Sequence, residues 1–157
     1  MSGRFIKFTV IGKPSQVGSK RAFVAGMKSG NPRAVMVNDN SERQKQWYNA
    51  VAQRAAQEME MVPQFTGPLR LGVIFFFKRP KSHYYQSKRR FGELKDDAPK
   101  CYYKKPDLDK LMRNLKDALT SVVWRDDAQV CEYGLVRKSW AEDGIECASI
   151  LIEEIIE

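Results

Sequence analysis

The stretch that decides the fold is KPDLDKLMRNLKDALT, residues 105–120. Pro106 prevents a helix from extending back past it, and Asp107 is a residue type favoured at a helix N-cap. The segment therefore predicts a docked helix that begins with two carboxylates, Asp107 and Asp109. Apolar residues recur at helical spacing and predict a single apolar stripe, formed by Leu108, Leu111, Met112, Leu115 and Leu119.

Two further acids follow the predicted helix. Asp126 and Asp127 occupy a short turn before the next strand-like run, so the chain can bring them near a neighbouring element. Clustered carboxylates repel one another unless a cation lies between them, and oxygen-only ligands suit Mg²⁺ or Mn²⁺. A structural interpretation stays open as well, because Asp is favoured at helix N-termini and in turns whether or not a metal binds.

The rest of the chain alternates strand-like and helix-like segments without repeats. A helix is expected from about 38 to 59, with Trp47, Val51 and Ala55 facing inward. This order predicts an α+β fold, a single domain over residues 1–157 in which a mixed β-sheet packs with two main helices. The apolar patterns predict strands at 6–10, 22–25, 34–37, 69–77, 129–140 and 145–155, the second and third paired as a hairpin and the fourth central and buried on both faces.

Composition agrees with one globular domain. The 157 residues are enough to bury a core, and 43% of them are hydrophobic. Cys101, Cys131 and Cys147 are odd in number and lack C-x-x-C spacing, which argues against a disulfide framework and against a zinc site. His83 is the only histidine, which leaves little for histidine-based chemistry. Without a signal-peptide pattern or a membrane-length apolar run, we expect a cytoplasmic protein with no membrane partner.

Positive charge is concentrated between residues 78 and 105, in a chain whose net charge is +8. This segment holds ten Lys/Arg against three acids, a net +7, with aromatic residues interleaved. Such a composition favours a nucleic acid partner, through phosphate neutralisation and stacking on unpaired bases, although a solvated insertion that only aids solubility is the alternative. The candidate contacts are Lys78, Arg79, Lys81, Lys88, Arg89 and Arg90 in this basic loop, with Lys20 and Arg21 as a second set.

Several segments together carry a family resemblance. The specific ones are KPDLDKL at 105–111, KDAL at 116–119 and VWRDDAQV at 123–130. Weaker similarity lies in GKPSQVGSKR at 12–21 and FFFKRPKSH at 75–83. These segments resemble the RusA family of Holliday junction resolvases, endonucleases typical of phages and prophages. The resemblance implies a RusA-like fold and a metal-dependent nuclease.

The resemblance also implies roles for individual residues. The chain departs from the family at Lys110, where Asn is usual, and at Arg113, where a functional lysine is usual. Arg113 keeps the positive charge on the Asp109 face of the helix, so we expect it to stabilise charge on a phosphate, although a guanidinium does not release a proton. The implied metal-binding catalytic acids are Asp107, Asp109 and Asp127, with Asp126 in the same cluster and Mg²⁺, or alternatively Mn²⁺, as the metal.

We therefore expect a structure-selective endodeoxyribonuclease that resolves Holliday junctions by paired symmetric nicks during DNA recombination and repair in a bacterial host. A divalent ion on the aspartates would activate water for in-line attack on a phosphodiester. A four-way junction is cut on two strands, so a two-fold homodimer would supply two sites. Two alternatives stay open: a nuclease of the same chemistry acting on other branched DNA, and a non-catalytic basic protein that binds branched DNA.

Overall fold

The computed structural model describes residues 3–18, 20–25, 33–38 and 41–156, with the backbone alone described for 20–25, 33–38 and 41. The order of strands and helices confirms the predicted α+β class. The elements are β1 (Phe5–Ile11), β2 (Lys20–Ala25), β3 (Arg33–Asn38), α1 (Ser41–Glu58), β4 (Leu69–Lys78), α2 (Leu108–Leu119), β5 (Val130–Ala141) and β6 (Cys147–Glu154), with short 3₁₀ helices at Lys81–His83 and Asp127–Gln129.

The sheet is mixed, as predicted. Its strand order is β1-β6-β4-β5, in which β5 lies parallel to β4 and the other neighbours are antiparallel. Strands β2 and β3 pair as a separate antiparallel hairpin, which confirms that prediction. The connection between the parallel strands β4 and β5 runs through the basic loop and α2. This crossover places α2 over the sheet, with β5 at the sheet edge beside it.

The core lies between one face of the sheet and the two helices. Trp47, Val51 and Ala55 of α1 are buried as predicted, and the apolar stripe of α2 is buried with them except for Leu108, which is partly buried. Each fully buried leucine of that stripe contributes about 1.5–3 kcal/mol, so α2 is anchored along its length. The prediction for β4 is half right: Ile74 and Phe76 on its outer face are only partly buried, because both helices pack on the opposite face.

The basic loop is folded onto the domain rather than detached from it. Tyr85 exchanges backbone hydrogen bonds with the 92–93 segment, and Lys95 N donates to the carbonyl of His83 at 2.9 Å. Tyr102 stacks on Phe77, with ring centroids 4.5 Å apart, and meets Trp140 edge-on. These contacts lead the chain back to the start of α2 in a defined position.

Two further predictions from the sequence concern the state of the cysteines and helices that could cross a membrane. The three cysteines are free thiols, two exposed and one half-buried, as their spacing predicted. Among the described residues no helix has the length and apolar character needed to cross a bilayer.

Candidate active site

Asp107 begins α2, as predicted, but its carboxylate does not cap the helix. The residue has extended backbone angles, and its side chain makes no capping hydrogen bond within the described chain. Its carboxylate instead lies 3.5 Å from the ammonium of Lys110. The backbone N–H of Asp107 donates to Gln16 Oε1 at 2.7 Å, which ties the loop after β1 to the start of the helix. The carboxylate is therefore left facing cations rather than backbone amides.

Lys138 of β5 also fixes the start of α2. Its ammonium donates to the carbonyls of Lys104 and Pro106, at 2.6 and 2.8 Å. Partial burial lowers the pKa of Lys138, and the nearby carboxylate of Asp107 opposes that change. Neither Gln16 nor Lys138 carries a signal in its own stretch of sequence, because both act on a helix far away along the chain.

A groove between α2 and the edge strand β5 brings most of the predicted catalytic residues together. Asp109, Arg113 and Lys116 lie on one face of α2, at the spacing i, i+4, i+7. Asp127 enters the same groove from the turn before β5. The groove is a pocket of about 550 Å³, lined by Leu108, Asp109, Met112, Arg113, Lys116, Asp127, Tyr133 and Val136.

Asp127 is held in the groove by two donors from the end of α2 and the following turn. The Thr120 hydroxyl lies 2.6 Å from Asp127 Oδ1, and the indole N–H of the fully buried Trp124 points at the same oxygen at 3.3 Å. The other oxygen, Oδ2, faces the ammonium of Lys116 at 3.9 Å. One oxygen is thus fixed by the fold while the other faces Lys116.

Asp117 belongs to the same electrostatic group, although no sequence pattern assigned it a role. Partial burial raises the pKa of its carboxyl, and the negative charge of Asp127 raises it further. Arg113 and Lys116 act in the opposite direction and lower it. The charges of these four side chains are therefore coupled across the end of α2.

An irregularity in β5 shapes the other wall of the groove. Tyr133 pairs with Leu71 of β4 and Val136 pairs with Val73, so three steps along β5 match two steps along β4. This bulge places Tyr133 and Val136 on the same face of the sheet, against α2. Bulges at sheet edges re-aim side chains in this way beside functional sites.

Comparison with known proteins identifies the family. The family model of endodeoxyribonuclease RusA matches residues 24–148, most of the chain. This chain belongs to the RusA family. It is also similar to the uncharacterized protein YqaN of Bacillus subtilis (strain 168), at 26% identity over 153 residues that cover 96% of each chain. RusA is a family of endodeoxyribonucleases, so the groove is a candidate for the active site of a nuclease.

The carboxylates of this RusA chain fit a divalent cation by their chemistry. Asp109 and Asp127 offer oxygen donors in one pocket, and Mg²⁺ commonly takes one or two protein carboxylates and completes its shell with water and phosphate oxygens. A preformed cage of three acidic, histidine or cysteine ligands is absent from the described ranges. Of the four predicted acids, Asp109 and Asp127 line the groove, and Asp107 directly precedes Leu108, the first lining residue of α2.

Asp126, predicted as part of the metal cluster, has a structural role in this RusA chain. Its carboxylate accepts the backbone N–H of Ala128 at 2.8 Å, and Gln129 Oε1 accepts the N–H of Asp126 at 3.0 Å. This reciprocal pair is a capping box for the 3₁₀ helix that follows. The D-x-x-Q spacing was present in the sequence and is the signal that would have assigned it. Asp126 is exposed and does not line the groove.

The predicted DNA contacts of the basic loop fall into different environments. Lys78, Lys81, Lys88 and Arg89 are exposed. Arg90 is engaged within the loop, paired with Glu93 at 2.8 Å and stacked on the Tyr85 ring at 4.0 Å. The side chains of Lys20 and Arg21 lie outside the described part of the structure.

Arg79 is not placed as the sequence predicted. Its side chain is buried, donates to the carbonyl of Pro99 at 2.9 Å, lies over the Trp140 ring, and faces Glu142 at 3.5 Å. Arg79 therefore holds the basic loop against the sheet and is not exposed to a phosphate. A basic cavity of about 240 Å³ that the sequence did not reveal is lined in part by Lys13, Arg43 and Lys105, next to Pro106.

Proposed function

We propose that this chain is an Mg²⁺-dependent endodeoxyribonuclease that resolves Holliday junctions by paired, symmetric nicks. The observation that carries the proposal is the α2–β5 groove, in which two carboxylates, Asp109 and Asp127, share a pocket with two cations, Arg113 and Lys116. Carboxylates can hold a metal, while guanidinium and ammonium groups attract the phosphate that a nuclease must bind. Membership of the RusA family supports the same chemistry.

Each residue of the groove has a distinct role in this proposal. Mg²⁺, held by Asp109 and Asp127 with Asp107 beside them, would supply an activated water and offset charge in the transition state. Arg113 and Lys116 neutralise the non-bridging oxygens of the scissile phosphate. Thr120 and Trp124 keep the Asp127 carboxylate oriented, as residues that hydrogen-bond to a metal ligand commonly do.

The rest of the DNA lies, in this proposal, across the basic side of the molecule. The exposed Lys88 and Arg89 of the basic loop would contact phosphates by charge. Lys13, Arg43 and Lys105, which line the basic cavity, would do the same. These contacts carry no sequence information and set affinity and its salt dependence. We also propose a homodimer, because a single groove cuts one strand whereas a junction has two strands of like polarity to cut.

The test is a cleavage assay with a four-way junction labelled on each strand in turn. Wild-type protein is incubated with the junction, with a nicked duplex and with a forked duplex, each with and without Mg²⁺. We expect paired nicks at symmetric positions on opposing strands of the junction, and we expect them only when Mg²⁺ is present. Sedimentation of the free protein should give twice the 18.1 kDa chain mass.

Other outcomes of the same assay point to other activities. Nicks spread equally over forks and junctions would replace the junction resolvase by a general branched-DNA nuclease. Tight binding of the junction without nicks in Mg²⁺ or Mn²⁺ would indicate a non-catalytic binding protein. The absence of a preformed three-ligand metal cage in the described ranges is the observation that favours the non-catalytic binding protein.

A further inference from the structure

One wall of the active-site groove is apolar, and phosphate chemistry does not account for it. Besides the charged side chains, the groove is lined by four residues that we call the apolar wall: Leu108 and Met112 of α2, and Tyr133 and Val136 of β5. Binding of a phosphodiester uses charge and hydrogen-bond donors, which Leu108, Met112 and Val136 do not supply. At about 550 Å³ the pocket is large enough for a small organic ligand, such as a nucleoside with its phosphate.

Tyr133 is the exposed aromatic residue of that wall. Tyr133 is 52% exposed because β5 is the edge strand, and the bulge turns it toward α2. The ammonium of Lys116 lies 5.8 Å from the ring centroid. A flat aromatic surface is therefore held beside a cation that faces the acids of the site. A cation next to an aromatic ring is a combination suited to a nucleotide, which carries a charged phosphate and a flat base.

We propose that the apolar wall is a nucleobase subsite, in which Tyr133 stacks on a base adjacent to the scissile phosphate. The inference rests on the proposed nuclease function and names the part of the DNA that the groove recognises. Lys116 and Arg113 hold the phosphate, and Leu108, Met112 and Val136 exclude water from the edge of the base. Stacking on one aromatic ring is tolerant of sequence, since every base has a flat face.

The subsite explains a preference for branched DNA without any contact specific to a junction. In an intact duplex each base is stacked between its neighbours, so reaching a side chain on the protein surface requires unstacking it. That cost is smallest for a nucleotide that is already unpaired or poorly stacked, as at a branch point. The groove would therefore select phosphates whose neighbouring base is free to leave the helix.

The first part of the test compares three variants. Tyr133→Phe keeps the ring, Tyr133→Ala removes it, and Leu135→Ala removes an exposed apolar side chain from the same strand outside the groove. We expect Tyr133→Ala to lower the single-turnover cleavage rate by about 5- to 150-fold, the range for losing one base–aromatic stack. Tyr133→Phe and Leu135→Ala should cut at near wild-type rates. Circular dichroism and sedimentation of all three confirm that fold and assembly are unchanged.

The second part removes the other member of the stack. After the cut sites on the junction are mapped, junctions with an abasic nucleotide on either side of the scissile phosphate are assayed with wild type and with Tyr133→Ala. If ring and base touch, losing both costs no more than losing either one, so the double cycle is non-additive. The same cycle is measured on dissociation constants in EDTA, where no cleavage occurs.

The outcomes separate the subsite from the nuclease itself. Failure of wild type to cut any junction removes the proposed function. In that case the abasic nucleotides are placed at the branch point instead, and the dissociation constants in EDTA still decide whether ring and base touch. Cleavage by wild type with additive losses in the cycle would overturn the subsite alone. A change in sedimentation on Tyr133→Ala, with DNA binding intact, would place Tyr133 in a subunit interface and would also overturn it.

Discussion

Thr120 donates its hydroxyl proton to Asp127 Oδ1 across 2.6 Å, at the point where α2 ends and the turn to β5 begins. The indole of Trp124 lies 3.1 Å from the same hydroxyl and 3.3 Å from the same carboxylate oxygen. A short bond to a charged acceptor is stronger than a neutral one. The orientation of the acid is therefore set by the last turn of the helix and the turn that follows it.

This arrangement makes Thr120→Val a test of how Asp127 is held. The substitution keeps the shape of the side chain and removes the donor, so the carboxylate should lose its fixed orientation. Loss of a group behind a metal ligand typically costs 10- to 100-fold in metal affinity or activity. We expect the Mg²⁺ concentration for half-maximal cleavage to rise by about that factor, as measured by titration. Thr9→Val, at an exposed position on β1, is the matched control and should titrate like wild type.

Asp107→Asn and Asp126→Asn remove the same charge from two acids that the sequence placed in one cluster. Asp107→Asn should abolish cleavage in Mg²⁺ while junction binding stays intact or tightens, because a negative charge near the DNA is removed. Helix stability should hold, since the Asp107 carboxylate makes no capping bond in the described chain. Asp126→Asn should cut normally, because Asn also accepts hydrogen bonds at a cap. Near-native cutting by Asp107→Asn would remove that residue from the site.

The fold was predictable wherever the signal is local. The alternation in β4 and the apolar stripe of α2 each lie within one segment, and burial follows such periods directly. Asp109 and Arg113 could be placed in the site for the same reason, because helical spacing puts them on one face. The capping role of Asp126 was not separated from a metal-binding role by the sequence, because the two patterns use the same residue type.

The rest of the site depends on contacts between distant segments. The bulge that turns Tyr133 toward α2 is set by pairing with β4, so alternation along β5 alone does not reveal it. Arg79 is basic and lies beside other basic residues, yet its burial depends on Trp140 and Pro99. Charge counting cannot distinguish a cation that faces DNA from one that is buried by a loop.

Substitutions of Arg113 test whether a positive charge alone is enough for cleavage at a position where the family usually has lysine. It lines the groove one turn from Asp109, and it shares none of the ion pairs found within the described ranges. Arg113→Lys should keep most of the cleavage activity, whereas Arg113→Ala should lose about a hundredfold or more, the scale for removing a charged group that stabilises the transition state. Single-turnover rates at saturating protein measure both. Normal cutting by the alanine variant would limit Arg113 to a surface role worth a few tenths of a kcal/mol.

The exposed cations of the basic loop predict a change in salt dependence. Replacing Lys88 and Arg89 with Ala should weaken binding to junctions and duplexes alike, because phosphate contacts do not read sequence. The slope of log affinity against log salt should fall by about one unit for each phosphate that is no longer neutralised. Lys7→Ala with Lys45→Ala removes the same charge from exposed positions elsewhere and should leave the slope unchanged. Equal slopes for the two double variants would show that the loop does not bind DNA.

Asp117 predicts how stability depends on pH. Partial burial, and after it the charge of Asp127, raise the pKa of Asp117 in the folded protein, so its charged form disfavours folding above that pKa. The penalty is relieved as the pH falls through the folded pKa, and it is gone below the ordinary Asp value of about 3.9. Asp117→Asn should therefore be more stable than wild type at pH 7, by at most a few tenths of a kcal/mol because the site is exposed. Urea unfolding in EDTA at pH 7 and at pH 3.5 measures both, and the advantage should disappear at the lower pH. A variant that is less stable at pH 7, or whose advantage persists at pH 3.5, would contradict the raised pKa of Asp117.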